Sequence, residues 1–237
     1  MDSVFKNLRP ANCETCPYRS QRTFCNLAPA ALEMYNAIGS YSRVARGTTL
    51  FHEGGPCDRV MVLCTGLVKL YCTSKAGRSL ILKIAQPGEV LGLSAVISGT
   101  RHEATATTLQ PTQIKSIPKA QFTALLEMHH EVSLHAGHAL SLESNRAFLD
   151  IKRLTLSGSA AGRLAGVLLD WGRGQCRVES EIQFPMPLTH AELAALAGTS
   201  RETVTRTLRR FQDEKLIDIA GHSIQVLSPA GLEKIHD

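Results

Sequence analysis

The stretch from Pro187 to Gln212, PLTHAELAALAGTSRETVTRTLRRFQ, constrains the chain most, because it carries two helical periods hinged on one glycine. Leu193, Leu196 and Ala197 share a face of the first period. Val204, Leu208 and Phe211 recur at i, i+4 and i+7 in the second. Thr189 with Glu192, and Thr199 with Glu202, each fit a capping box, where a hydroxyl accepts from an orphan backbone N–H and a carboxylate accepts from the N-cap. Leu188 and Leu193 are spaced for a hydrophobic staple, and Gly198 supplies the tight turn. The pattern predicts a helix-turn-helix.

Arg201, Glu202, Thr205, Arg206, Arg209 and Arg210 lie off or beside the apolar stripe of the second helix. Arginine pairs bidentately with a guanine edge and glutamate accepts from the cytosine amino group. A recognition helix needs such groups near its N-terminal end, where it enters the major groove. Double-stranded DNA is the expected partner, against a plainer reading as a solvated helix in a protein-protein module. Thr199, Ser200, Arg209 and His222 are phosphate-contact candidates. Bulk charge does not carry this reading. The chain is +5 overall, but residues 158–237 hold nine Lys and Arg against ten Asp and Glu, a net −1, which leaves +6 on residues 1–157. Attraction to DNA must come from the local arginine cluster.

The chain has 237 residues, 43% of them hydrophobic, enough for one or two cored domains. No apolar run approaches the ~18–20 residues of a membrane helix, and the start, MDSVFKNLRP, has no signal-peptide core. A soluble cytoplasmic protein without a membrane partner is expected. Seven cysteines are an odd number, and cytosolic thiols are normally reduced. Metal, cluster or redox chemistry is therefore the alternative to a disulfide framework. Cys13, Cys16 and Cys25 form C-x2-C-x8-C in a polar stretch, residues 1–27, that reads as standing apart. Two thiolates in a tight turn reach one ion, and iron-sulfur clusters normally take four. A fourth ligand would come from Cys57, Cys64, Cys72, Cys176 or a non-cysteine residue. Free thiols or a Cys13/Cys16 dithiol switch are the other readings.

Residues 28–42 read as a helix through Leu32, Tyr35 and Ile38. Residues 43–122 read as short strands broken by glycine turns, a barrel or sandwich. The runs are Thr48–Phe51, Arg59–Cys64, Leu67–Cys72, Ser79–Ile84, Glu89–Gly92, Ala104–Thr108 and Gln113–Ile117. Val68, Leu70 and Cys72 fall on one face, which makes Cys72 a small core residue. A brief helix carries Phe122, Leu125 and Leu126, and a longer one runs from about Glu131 to Leu156. In the longer helix His135, Leu142, Leu149 and Leu156 repeat every seven residues, as do Val132, Ala139, Arg146 and Arg153. That is an a/d seam suited to pairing two helices. Leu140, Ala147, Ile151 and Leu154 form a second stripe for the sheet. His129, His130, His135 and His138 read as polar surface or interface residues rather than haem or metal ligands. Ser157-Gly158-Ser159 is the linker candidate. Beyond it come a helix through Ala161 to Trp171, strands at Cys176–Val178 and Ile182–Phe184, a hairpin wing about Gly221-His222, and a last helix over Pro229–Ile235.

Gly47-x2-Leu50-Phe51-x-Glu53-Gly54, Gly66, Gly77, Pro87-Gly88-Glu89 and Gly92, followed by Arg201-Glu202-Thr203-Val204-Thr205-Arg206, resemble the β-roll and recognition helix of the CRP/FNR regulators, in that family's order and from about Cys13 to the end. The resemblance implies an α+β chain: a cysteine-bearing segment (1–27), a cyclic-nucleotide-binding-type β-roll (28–130), a dimerisation helix (131–157) and a winged helix-turn-helix (158–237). It implies a homodimer on a palindromic operator, paired through His135, Ala139, Leu142, Arg146 and Leu149, with RNA polymerase as a further expected partner. Arg201, Glu202 and Arg206 are similar to the set that reads a TGTGA-like half-site, while Thr205 leaves a TTG(A/T)-type core open. The effector pocket falls at Gly88, Glu89, Gly92 and Arg101. Leu93 stands where the cyclic-AMP binders carry a glutamate, and Glu103-Ala104 where they carry an arginine with Ser or Thr. A carboxylate repels a phosphate, so cyclic AMP is disfavoured, with Arg101 in reach of the phosphate after a short loop shift.

The cysteines resemble the oxygen-sensing branch, which implies an iron-sulfur cluster, with zinc or a thiol switch as alternatives. That branch's fourth cysteine position is held here by about Lys115. Other readings are a metal or thiol redox protein without productive DNA regulation, and a cyclic-nucleotide-responsive regulator. A cupin-like enzyme lacks a His/Glu metal set in the strands, and no catalytic constellation appears.

Overall fold

Glycine turns divide residues 40–118 into short strands, as their spacing predicts. The computed structural model describes residues 13–156, 158–175, 182–221 and 223–236. In chain order its elements are α1 (Pro29–Ala37), β1 (Ser40–Val44), β2 (Thr49–Phe51), β3 (Arg59–Thr65), β4 (Val68–Thr73), β5 (Ser79–Ala85), β6 (Val90–Leu91), α2 (Leu93–Ser98), β7 (Thr105–Thr108), β8 (Thr112–Pro118), α3 (Lys119–Met128) and α4 (His130–Leu156). Then come α5 (Ala160–Gln175), β9 (Ile182–Pro185), α6 (His190–Leu196), α7 (Arg201–Asp213), β10 (Ile217–Ala220), β11 (Ser223–Val226) and α8 (Pro229–His236). Two compact units result: Met1–Cys72 with Lys83–Arg146, and Thr73–Leu82 with Ala147–Asp237. Among the described residues no helix is long and apolar enough to cross a membrane.

β3 is apolar at nearly every position because both its faces are buried. It lies between β8 and β6 in a four-stranded sheet ordered β1-β8-β3-β6, and a second sheet runs β2-β7-β4-β5. Alternation sends Val60 and Val62 into a cluster with Tyr35, Ile117, Phe122, Leu125 and Val132, and Leu63 into another with Val68, Ala85, Leu91, Ala106 and Ile114. The first cluster joins sheet to helices. The second fills the roll.

Several expectations change. The helix read within residues 28–42 runs from Pro29 to Ala37 and stops before Gly39, which turns at φ 68, as Pro29 near its start and Gly39 near its end predict; the remainder, Ser40–Val44, is instead a strand paired with β8. A Cβ on Gly39 would press on the Ser116 carbonyl, so sheet pairing overrides the helical period there. Residues 13–27 do not stand apart, since Cys13, Phe24, Cys25 and Leu27 belong to the helix-sheet core and Phe24 stacks on Phe122 at 5.9 Å. Cys72 is half-buried near the end of β4, its Sγ 3.3 Å from the Glu103 carbonyl, rather than a core residue. α2 forms between left-handed Gly92 and Gly99, where no helix was expected.

α4 faces two ways. Val132 and Ala136 are buried in the core, with Ala139 and Leu140 packed against it. Ala139, expected on a dimer seam, is partly buried against its own domain. Arg146 pairs with Glu89 at 3.6 Å and Arg153 with Asp150 at 2.6 Å. The heptad set Val132/Ala139/Arg146/Arg153 is thus committed within the chain. Leu134, Leu142, Phe148, Leu149 and Leu156 are exposed. Ile151, expected to pack on the sheet, is exposed as well.

In the second unit α5 buries Leu164, Ala165, Val167, Leu168 and Leu169. Gly162 lets α8 come close: a Cβ there would stand 2.6 Å from the Ile235 carbonyl. β9, β11 and β10 form the antiparallel wing sheet in the order β10-β11-β9. Residues 176–178, expected as a strand, lie outside the described residues. α7 ends in a Schellman motif, with Lys215 N–H donating to the Gln212 carbonyl at 2.9 Å and Leu216 N–H to that of Phe211 at 2.9 Å. Lys215 is left-handed at φ 54, where glycine is the relaxed residue. Lys215→Gly is expected to stabilise the winged helix by about 0.5–1 kcal/mol. Urea denaturation followed by tryptophan fluorescence checks this, Trp171 being the one tryptophan; a loss of stability would contradict it.

Candidate nucleic-acid interface and sensor residues

The helix-turn-helix closes as its caps dictate at the first helix and differently at the second. At α6 the Thr189 hydroxyl accepts from Glu192 N–H at 3.2 Å, and Glu192 accepts from Thr189 N–H at 2.9 Å, a full capping box. Leu188 and Leu193, the staple pair, are both buried. At α7 the cap is Ser200, whose hydroxyl accepts from Thr203 N–H at 3.2 Å. The predicted Thr199/Glu202 box does not form, because Thr199 N–H instead donates to the Ala194 carbonyl at 2.9 Å and the helix starts one residue later. Gly198 makes the turn at φ 59. Arg163 of α5 holds that turn, donating from Nε to the Ala197 carbonyl at 2.9 Å and from Nη2 to the Gly198 carbonyl at 3.3 Å. Sequence periodicity gave no sign of Arg163, because its partners are backbone oxygens more than thirty residues away.

Val204, Leu208 and Phe211 are buried, and so is Thr207. The opposite side of α7 presents Arg201, Glu202, Thr205, Arg206 and Arg209, which together line one open depression. Three arginines against one carboxylate make it positive. Arg210 is not part of it: its Nε pairs with Glu214 at 3.6 Å and its guanidinium lies over Phe211. Glu202 is held below the usual carboxylate range by its own backbone N–H and the Ser200 hydroxyl, so it is a ready acceptor. Thr205 has its hydroxyl 2.8 Å from His190 Nδ1 and donates to the Arg201 carbonyl at 3.0 Å, which joins the two helices through a groove-facing residue. His222 lies outside the described residues.

The effector-pocket candidates each have partners of their own. Glu89 pairs with Lys83 at 2.6 Å as well as with Arg146, and Lys83 reaches Glu143 at 3.4 Å. This network ties the roll to α4. Arg101 donates to the Gly54 carbonyl at 2.9 Å. Glu103 accepts from the Ser94 hydroxyl at 2.9 Å and faces the end of α2. Gly92 caps α2 beside His102, and Gly88 admits the Arg22 side chain, which a Cβ would meet at 2.9 Å.

The thiols do gather. Cys13 and Cys25 are buried, and Cys64 from β3 lies within electrostatic reach of Cys13, Cys25 and Cys16. Burial first, then the neighbouring thiols, push Cys25 and Cys64 up to about 12, against an opposing pull from Arg22. Cys13 Sγ is 3.1 Å from the Tyr41 hydroxyl. Among the described residues no three His, Cys, Asp or Glu side chains already surround a common point as metal ligands. Cys57 lies instead near the Arg59 and Gly92 carbonyls, Cys72 near Glu103, and Cys176 outside the described residues. Lys115 is fully buried, with Nζ 4.5 and 4.6 Å from the Tyr35 and Tyr41 ring centroids.

The cap assignment is testable. Ser200→Ala is expected to cost about 1 kcal/mol and Thr199→Ala a few tenths, read as shifts in the urea midpoint; equal losses would contradict it.

Comparison with known proteins identifies both halves. A cyclic nucleotide-binding domain model matches residues 41–129, and a Crp-like helix-turn-helix domain model matches residues 162–235. The transcriptional activatory protein AadR of Rhodopseudomonas palustris is 28% identical over 223 residues, 92% of this chain and 90% of that protein. The cyclic AMP receptor protein of Thermus thermophilus is 26% identical over 212 residues, 90% of this chain and 95% of that one. The structure of FixK2 from Bradyrhizobium japonicum superposes with a TM-score of 0.76 at 20% identity, covering 84% of this chain and 98% of that one, and shares the fold. With a cyclic nucleotide-binding domain leading into a Crp-like helix-turn-helix, the chain belongs to the CRP/FNR family of DNA-binding transcription regulators.

Proposed function

We propose that this regulator acts as a homodimer on a palindromic operator, and that its N-terminal half senses a redox or metal signal through Cys13, Cys16 and Cys25. The observation that carries the DNA reading is the exposed row Arg201, Glu202, Thr205, Arg206 and Arg209 on one side of α7. Arg201, Glu202 and Arg206 read base edges, with Thr205 among them. Thr199, Ser200 and Arg209 flank them toward phosphates. Two such helices stand about 34 Å apart, one turn of DNA, on a two-fold site. The dimer forms through the outer apolar row of α4, Leu134, Leu142, Phe148, Leu149 and Leu156, exposed in the single chain. Signal reaches the DNA heads by population shift between arrangements of the paired helices. The Lys83–Glu89–Arg146 network supplies the link between roll and helix. RNA polymerase is the next partner, and the protein works in the cytoplasm.

Cyclic AMP names the Thermus relative, but this chain does not take it as effector. By the family resemblance Glu103 falls where the cyclic-AMP binders carry an arginine, and its carboxylate accepts from Ser94, while Glu89 pairs with Lys83 and Arg146.

Arg206→Ala is expected to cost about 1–3 kcal/mol on the cognate site and to relax one base position. Titrations on single-base operator variants at fixed salt test this; uniform weakening on every sequence would make Arg206 a phosphate contact. The double variant Leu142→Glu, Leu149→Glu is expected to be monomeric in light scattering. An unchanged dimer would move the interface away from α4.

A further inference from the structure

One contact in the winged helix ties the base-reading row of α7 to the first residue of α6. Thr189 closes the capping box of α6, which makes His190 the first residue of that helix. From there the imidazole Nδ1 stands 2.8 Å from the Thr205 hydroxyl oxygen on α7. The same hydroxyl donates to the Arg201 carbonyl, one turn back on its own helix, at 3.0 Å. Thr205 lines the open depression together with Arg201, Glu202, Arg206 and Arg209. Gly198 and the Arg163 brace hold the turn between the two helices, so His190 and Thr205 stay in register.

Counting protons shows what Thr205 has left for DNA. A threonine hydroxyl has one proton and two lone pairs. The proton goes to the Arg201 carbonyl. The 2.8 Å contact with His190 then requires a ring that donates from Nδ1, which occupies a lone pair. Thr205 therefore has no proton to give to a purine N7, a guanine O6 or a thymine O4. Threonine in a helix divides between two side-chain rotamers according to where its oxygen bonds. Both partners of this oxygen belong to the protein, so the rotamer is fixed and the Cγ2 methyl is left as the group that Thr205 offers to the depression. In the major groove one base alone carries a methyl of its own, thymine at C5, and a threonine methyl makes apolar contact with it.

We propose that His190 is a positioning residue for base reading: it holds the Thr205 hydroxyl toward the protein, so that the Thr205 methyl meets the C5-methyl of one thymine in each half-site. The proposal rests on the reading of α7 as the helix that enters the major groove. It divides the row into two kinds of reader. Arg201, Glu202 and Arg206 recognise base edges by charge-assisted hydrogen bonds, and Thr205 recognises one base by shape and apolar contact. His190 acts without touching that base. Without it the hydroxyl keeps a single tether, the Arg201 carbonyl, which both helical rotamers of threonine allow. The methyl then no longer has one place, and the thymine preference fades although Thr205 is still present.

The test uses the full chain on a two-fold operator that the wild type selects from a randomised palindromic pool. Each thymine is then replaced, in both half-sites at once, by deoxyuridine, which lacks only the C5-methyl and keeps its base-pairing bonds. At one position the wild type is expected to lose about fourfold in affinity per half-site, about 15-fold on the whole operator. Thr205→Val is expected to keep that loss, and Thr205→Ser to bind both operators equally. His190→Ala is expected to bring the ratio toward one, and His190→Asn, which places an amide N–H where Nδ1 stood, to restore it. Discrimination at the base read by Arg206 is expected to stay the same in His190→Ala; a parallel loss there would make His190 a structural residue and overturn its positioning role. A wild-type ratio in His190→Ala would overturn that role too. Equal binding of thymine and deoxyuridine operators at every position would overturn the methyl contact and leave DNA reading standing. Failure of the wild type to select any sequence would overturn the DNA reading itself, and the proposal with it.

Discussion

Burial of β3 on both faces is the constraint from which the sensor half follows. A strand packed on one side alternates polar and apolar residues; Val60-Met61-Val62-Leu63 does not. One face must fill a roll and the other must be covered. The roll forms from strands broken at left-handed glycines such as Gly66 and Gly88. The cover is α1, α3, the start of α4 and residues 13–27, all contributing to the cluster that contains Val60 and Val62. The cysteines near the N-terminus are therefore held where β3 places them, beside Cys64 and Lys115.

Charge is distributed against the grain of function in the other half. The C-terminal 80 residues are slightly acidic, yet one side of α7 is positive. Local placement does this. The buried stripe fixes which residues face out, the Ser200 cap sets where the helix starts, and Arg163 braces the turn from behind. Arg210 shows the limit of counting charges: one position beyond Arg209, it turns to Glu214 and Phe211 and leaves the groove face. In water such an exposed pair contributes little to stability; its consequence is to remove one arginine from the reading surface.

α4 carries two kinds of contact on one rod. Its inner arc is packed by Val132, Ala136, Ala139 and Leu140, and steadied by Glu143 and Arg146 meeting Lys83 and Glu89. Its outer arc leaves leucines and Phe148 in solvent. Heptad spacing alone allowed both arcs to be read as one seam, because Val132/Ala139 and Leu142/Leu149 repeat with the same period. Only the location of the sheet separates them.

The sequence by itself determined the local structure: the strand runs and their turns, the long helix, the helix-turn-helix with its Thr189 box and Gly198 turn, and the arginines that face outward. These depend on periods of two and 3.6 and on backbone conformations that specific residues favour within a few positions. It did not determine that Ser40–Val44 is a strand, that Ser200 rather than Thr199 caps α7, that Arg163 holds the turn, or that Ala139 faces inward. Nor did it single out Cys64 from the other cysteines. Each of these was decided by a partner distant in the chain, such as the Ser116 backbone beside Gly39, the Ala197 carbonyl before Arg163, or residues 13–27 laid over β3. Spacing encodes neighbours along the chain; only tertiary packing brings residues 13, 25, 64 and 115 to one place.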